Sequence, residues 1–199
     1  GQAILMQTYR QFVDPCYSVR QVLVEHHHFN DEKKSEHIKG LLLRCREQNA
    51  IPIVNYNDAV SSEENRRLEI MALAHGKKRV FECVDNDETA ARIACLVHAK
   101  TLVILTSVDG IYTDPDDPAT LVTAISGKDA YELVENIEQH KSYCEGASRA
   151  GANGAKAKLE YVKDAAAQGT TVYIANAKYT ISAVLSGEVP CTKIGIDLR

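Results

Sequence analysis

The stretch 101-TLVILTS-107 is apolar and rich in branched residues, then turns polar at its end. Such a run reads as a strand covered on both faces, the habit of parallel sheets. Just upstream, 84-VDNDETAARIA-94 leads into a helix expected from about Glu88 to His98. Further back, 79-RVFECV-84 and 51-IPIVN-55 read as strands, Pro52 lying near a strand start where a missing N–H does least harm. Between them, residues 59–79 are polar and charged, and a flap or hairpin is expected. Before residue 51 comes a helix to about Asn49, capped by Asn30 or Asp31, with Ile38, Leu41, Leu42 and Cys45 inward. The strand 18-SVRQVLVE-25 and a helix over 2–12, with Ile4, Leu5, Tyr9 and Phe12 on spaced positions, complete that side.

Downstream, 113-TDPDDPAT-120 reads as loop and about 127–139 as helix. The small-residue run 146-GASRAGANGA-155 reads as a loop before a helix to Gln168, stopped by Gly169. A strand at 170–176, a short helix at 178–187 and a last strand at 191–196 follow. Strands alternating with helices predict a mainly parallel sheet with helices on both faces, a three-layer α/β/α sandwich.

The 199 residues suit a single domain with a sizeable core. With 45% hydrophobic and 25% charged residues the chain is neither disordered nor fibrous. Its 23 basic and 27 acidic residues leave a net charge of −4, with no basic stripe for nucleic acid. No apolar run approaches the roughly 20 residues of a membrane helix, and the first residues lack the basic leader of a signal peptide. Six scattered cysteines without a CxxC pair predict buried thiols in a reducing cytosol. The run His26-His27-His28 cannot turn three ligands one way, so it is expected to be a solvated or interface segment.

In parallel sheets ligands bind beyond the carboxyl ends of the strands. That edge collects Asn55, Asn57 and Asp58, then Asp85, Asn86 and Asp87, then Thr106, Ser107 and Asp109, then Asn176. Asp85 or Asp87 alone would make a good helix cap. Two carboxylates around an amide exceed what one cap needs.

The ordered set 52-PIVNYND-58, 85-DND-87, 104-ILTSVDGIYT-113 and 151-GANGAKAKL-159 resembles the amino acid kinase family, in particular its members that phosphorylate glutamate. The resemblance runs from Gly1 to the last strand. It implies transfer of the ATP γ-phosphoryl group to the side-chain carboxylate of L-glutamate, the first step of proline biosynthesis. It places Asn55, Asp58, Asp85, Asn86 and Asp87 at the amino acid, with Asp58 and Asn86 foremost. Asp87 would cap the helix while Asp85 and Asn86 face the ligand. It places Thr106, Ser107, Asp109, Gly110 and Tyr112 at ATP. The loop of Gly151, Ala152, Asn153, Gly154, Ala155, Lys156, Ala157 and Lys158 would close over the nucleotide, with Lys158 as catalytic cation. Read from spacing alone, Lys156, Lys158 and Lys163 fit a solvated helix face equally well, and Asp109 fits a turn before Gly110.

Mg²⁺ is expected on the nucleotide phosphates, with no metal site of the protein's own. The resemblance further implies a cytoplasmic homodimer or homotetramer, the helix at 2–12 being an interface candidate. Against the family's pattern, Tyr56 stands for a glutamate, Val84 for a glycine and Ser107 often for an aspartate. The family's opening strand and lysine–glycine phosphate loop are not found, so a chain that starts late in the domain, and is inactive by itself, is expected. A kinase for acetylglutamate or aspartate, or a non-catalytic amino-acid or nucleotide binder, are the competing readings.

Overall fold

A computed structural model describes residues 1–57, 70–72, 74, 80–82, 85–114, 116–144 and 152–198, without the side chains of 152 and 153. The chain divides into two compact units, residues 1–89 and 90–199.

In the first unit, helix α1 (Gln2–Phe12) leads to strand β1 (Ser18–Val24). A four-residue helix α2 (His27–Asn30) and a long helix α3 (Glu32–Glu47) connect it to β2 (Ala50–Tyr56). The two strands pair in parallel, Ser18 opposite Ala50 and Val24 opposite Tyr56. Helix α3 starts at Asp31, whose carboxylate accepts from the Lys34 N–H at 2.9 Å. It buries Ile38, Leu42 and Cys45, three to four residues apart, and packs on β2.

Helix α1 forms over the expected span with its apolar side exposed, and the strand expected at 79–84 is absent from its described residues. No residue of α1 is buried, and Ile4 and Phe12 are 71% and 83% exposed. At 100° per residue, Leu5, Tyr9 and Phe12 fall opposite the Ala3, Met6, Gln7 and Arg10 side that faces Val19 and Gln21 of β1. Of the strand expected at 79–84, Val80, Phe81 and Glu82 are described and are not in a strand. The Phe81 backbone is satisfied by a side chain instead: its N–H donates to Asn30 Oδ1 (3.0 Å) and its carbonyl accepts from Asn30 Nδ2 (2.7 Å). Asn30 therefore fastens Phe81 rather than capping α3. The excursion expected at 59–79 lies almost wholly outside the described residues.

Helix α4 (Asn86–Val97) crosses the division between the units. The second unit continues with β3 (Thr101–Thr106), β4 (Ile111–Tyr112), a 3₁₀ turn (Pro118–Thr120), β5 (Leu121–Val122) and β6 (Ala124–Gly127). Helices α5 (Ala130–Tyr143) and α6 (Ala152–Ala167), strand β7 (Thr171–Asn176), helix α7 (Ile181–Ser186) and β8 (Cys191–Ile196) complete it. The main sheet has the order β3-β7-β8-β6, with β3/β7 and β8/β6 parallel and β7/β8 antiparallel. With β1/β2, three of these four long pairings are parallel.

One face of this sheet buries Ile104, Val172, Ile174 and Ile194 against Leu133 and Ile137 of α5 and Leu159, Val162 and Ala166 of α6. Alternation turns Ala175 to the other face, and α7, with Val184 fully buried, packs on β7. Among the described residues β3 is an edge strand of this sheet, and Leu105 on it is 45% exposed. Strand β6 and the β4/β5 hairpin were not expected, and α5 runs three to four residues later than read. The signal for its start was present: the Asp129 carboxylate accepts from the Glu132 N–H at 2.9 Å. Gly169, with φ +98°, ends α6 in the left-handed conformation that favours glycine.

Thr192 of β8 is fully buried and ties the hairpin to the sheet. Its hydroxyl accepts from the Ile111 N–H and donates to the Val122 carbonyl, both at 2.7 Å. Cys16 is exposed, against the expectation of buried thiols, whereas Cys45 is buried. Among the described residues no helix is long and apolar enough to cross a membrane.

Candidate functional site

In the first unit, β1 and β2 end side by side, and their carboxyl ends carry Glu25 and Asn57. The ladder continues one step, the Asn57 N–H donating to the Val24 carbonyl at 2.9 Å. Asn57 Nδ2 also donates to Glu25 Oε1 at 2.7 Å. Two residues back, Asn55 Oδ1 accepts from the Tyr56 N–H at 2.9 Å. Period-two alternation puts Tyr56 on the opposite face, where it is buried with its hydroxyl 3.2 Å from the His26 ring.

The three histidines thus have different surroundings, not a common solvated one. His26 is only 1% exposed, with its Nδ1 3.2 Å from the Tyr56 hydroxyl. His28 Nδ1 accepts from the Glu25 N–H at 2.9 Å, and burial, with His27 beside it, pushes its pKa below the ordinary 6.5. His27 lies 3.4 Å from Glu25 Oε2. The sequence reading missed Glu25 and left Asn57 without a role. Only the register of β1 against β2 brings the two together.

The 85-DND-87 stretch forms the start of α4. Asp85, not Asp87, is the cap: its Oδ1 accepts from the Asp87 N–H at 2.9 Å. Its carbonyl also accepts from the Thr89 N–H at 3.1 Å. Asp87 and Glu88 lie in the first turn, where negative charge suits the helix dipole. Asp85 and Asn86 are exposed and Asp87 is half-buried. Asp58 lies outside the described residues.

In the second unit a polar group gathers where β3 and β7 end, Thr106 opposite Asn176. The Ala177 N–H donates to the Thr106 carbonyl at 2.8 Å, and Asn176 Nδ2 to the Ser107 carbonyl at 3.0 Å. The Asn176 Oδ1 in turn accepts from the Lys178 N–H at 3.1 Å. Lys178 Nζ lies 3.0 Å from Asp109 Oδ1. That ion pair holds the Lys178 ammonium above its ordinary pKa, while burial and the Asp109 charge push the Tyr112 hydroxyl up. Asp109 therefore has a cationic partner rather than being a turn residue alone. Lys178 was missed, although it follows the end of β7 by the same rule that selected the others.

Gly110 is buried for a packing reason. A Cβ there would lie 2.4 Å from Thr192 Oγ1 and 2.9 Å from the Thr192 backbone N.

The loop expected to close over nucleotide is helical where it is described. Helix α6 begins at Ala152, so Gly154, Ala155, Lys156, Ala157 and Lys158 lie within its first two turns. Alanine at 152, 155 and 157 favours helix over loop. What this segment offers is the backbone N–H end of a helix. A Cβ at Gly154 would meet nothing within 4 Å, so no close approach requires that glycine. Gly151 and the side chains of Ala152 and Asn153 lie outside the described residues. Lys158 is half-buried, one position before the core residue Leu159. Lys163 is neither solvated nor near the helix start: it pairs with Glu138 (2.7 Å) and Glu160 (2.9 Å).

These observations define an α/β protein with a mainly parallel sheet and polar groups at strand ends. The amino acid kinase family profile matches residues 1–176, and the chain belongs to that family. A glutamate 5-kinase of Clostridium perfringens (strain 13 / Type A) is 32% identical over 193 residues, 94% of this chain and 65% of that protein. Glutamate 5-kinase of Idiomarina loihiensis is 30% identical over 96% of this chain and 46% of its own length. That of Oceanobacillus iheyensis is 32% identical over 87% of this chain and 42% of its own. The chain thus spans between two fifths and two thirds of these relatives.

Proposed function

We propose that the protein carrying this chain transfers the γ-phosphoryl group of ATP to the side-chain carboxylate of L-glutamate, the opening step of proline synthesis. The observation that carries this reading is the pair of asparagines, Asn55 and Asn57, held at the carboxyl end of β2 in a chain of this family. The glutamate 5-kinase relatives supply the substrate.

The chemistry asks little of side-chain bases. A glutamate carboxylate, with a pKa near 4.3 in water, is already ionised at neutral pH. Two anions must be brought together and the charge on the moving phosphoryl group neutralised. The N–H groups opening α6 and the Lys158 ammonium serve that need. Thr106, Ser107, Asp109 and Tyr112, with Lys178, form the nucleotide edge. Asn55, Asp58, Asn86 and Asp87 bind the amino acid, and Asp85 does so through its remaining carboxylate oxygen.

Among the described residues no group of three or more His, Cys, Asp or Glu could cage a metal. Mg²⁺ would be carried mainly by the nucleotide phosphates and their waters. Bound there, it would neutralise charge on the transferred group.

The test is initial-rate kinetics on the whole protein. Asp58→Ala and Asn86→Ala each remove a contact to a charged ligand group, so the glutamate KM should rise about tenfold to hundredfold. The ATP KM should stay in place. A glutamate KM unchanged in both variants returns these residues to turn and helix-start roles.

A further inference from the structure

Asn55 and Asn57 lie two residues apart on one face of β2, and their side chains are held in opposite senses. A backbone N–H can only donate, so the Tyr56 N–H fixes the Asn55 carbonyl toward itself. An ionised carboxylate can only accept, so Glu25 fixes the Asn57 NH₂ toward itself. What remains is the NH₂ of Asn55, a donor, and the carbonyl oxygen of Asn57, an acceptor. Neither Asn55 Nδ2 nor Asn57 Oδ1 has a protein partner among the described residues. Both side chains are half-buried at the strand-end edge.

We infer that this donor–acceptor pair reads the two α-substituents of an amino acid, Asn55 donating to the α-carboxylate and Asn57 accepting from the α-ammonium. Glu25 is the positioning residue that sets the sense of Asn57. The inference rests on the amino-acid kinase reading above and adds to it the recognition of the zwitterionic end. Glu25 is itself held in place. Its side chain is 19% exposed, and its own N–H donates to His28 Nδ1. Its second oxygen lies 3.4 Å from His27.

Glu25→Gln keeps the shape of the side chain but can donate as well as accept, so Asn57 is free to flip. Kinetics of the whole protein are compared for L-glutamate and for glutarate, which lacks the ammonium group. Glu25→Gln should raise the glutamate KM about tenfold, the usual loss for a hydrogen bond to a charged group. It should leave the glutarate KM, the ATP KM and the saturated kcat in place. Asn57→Ala should reproduce this pattern, and the double variant should be no worse than Asn57→Ala, because Glu25 acts through Asn57. A glutamate KM unmoved by Glu25→Gln, glutamate and glutarate KM rising together, or additive losses in the double variant would each overturn the inference.

The two readings fail separately. If the protein phosphorylates aspartate and not glutamate, the glutamate assignment falls, while the same ratio, read with aspartate and succinate, still supports the asparagine pair. If it accepts only N-acetylglutamate, which has no ammonium group, the asparagine pair falls. If no acid turns over, calorimetric Kd values for glutamate and glutarate give the ratio directly. Equal binding of the two, or none of either, overturns it.

Discussion

Asp85 has two claims on it, and they can be separated at the level of a single atom. As the α4 cap, it needs only an oxygen for the Asp87 N–H. As a ligand residue, it needs its charge. Asp85→Ala should cost about 1 kcal/mol of stability, the usual loss of an N-cap. Asp85→Asn keeps an accepting oxygen, so the thermal midpoint should hold while the glutamate KM rises if the charge meets the substrate ammonium. Melting curves and kinetics on the two variants check this, and a KM unmoved in Asp85→Asn leaves the residue a cap. At this scale the sequence was half legible. That 85-DND-87 held a cap and a surplus of polar groups could be read from composition and position. Which aspartate capped could not, because it depends on where the first helical turn begins. Glu25 was invisible for another reason: its partner, Asn57, is 32 residues away and comes close only through strand register.

Among the elements, α5 and α6 are clamped by four charges. Lys141 lies 2.8 Å from Glu138 and 2.5 Å from Glu160, and Lys163 pairs with the same two carboxylates. Both lysines are less than a fifth exposed. The Lys141 and Lys163 hydrogen bonds hold Glu138 below its ordinary 4.5. Burial pushes Glu160 up, but the same two lysines outweigh it and leave it lowered as well. Both ammonium groups are raised above 10.5: burial works against the charge, and the two glutamates outweigh it. A carboxylate lowered on folding stabilises above its unfolded pKa, and that stability is lost as pH falls through the folded value. Stability should therefore drop as pH falls below about 4.5. A raised lysine stabilises below its unfolded pKa, and its share goes as pH rises through the higher folded value. A Glu138→Gln/Glu160→Gln variant should show a shallower acid decline in melting temperature than the parent. An equally steep decline would mean the clamp is not what titrates. The helices themselves were legible from apolar spacing and caps, as Asp31 and the buried Ile38, Leu42 and Cys45 show. Strand β6 was not, because 124-AISG-127 has little apolar pattern and exists through pairing with β8, nearly seventy residues on. The start of α6 was missed because a run of small residues reads alike as loop and helix.

For the molecule as a whole, the α/β class and the parallel pairings followed from long apolar strands alternating with helices. The polar strand ends then marked the family, since the rule that ligands bind at carboxyl edges does not depend on any single motif. Thr106, Ser107 and Asn176 come together at the ends of β3 and β7. The antiparallel direction of β8 was beyond it, because hydrophobic alternation carries no strand direction. The proposed reaction makes an acyl phosphate on the glutamate side chain. Incubating the whole protein with MgATP, L-glutamate and hydroxylamine should trap the acyl phosphate as glutamyl hydroxamate, formed in step with ADP. ADP release without hydroxamate, or hydroxamate from aspartate or N-acetylglutamate but none from glutamate, would contradict it.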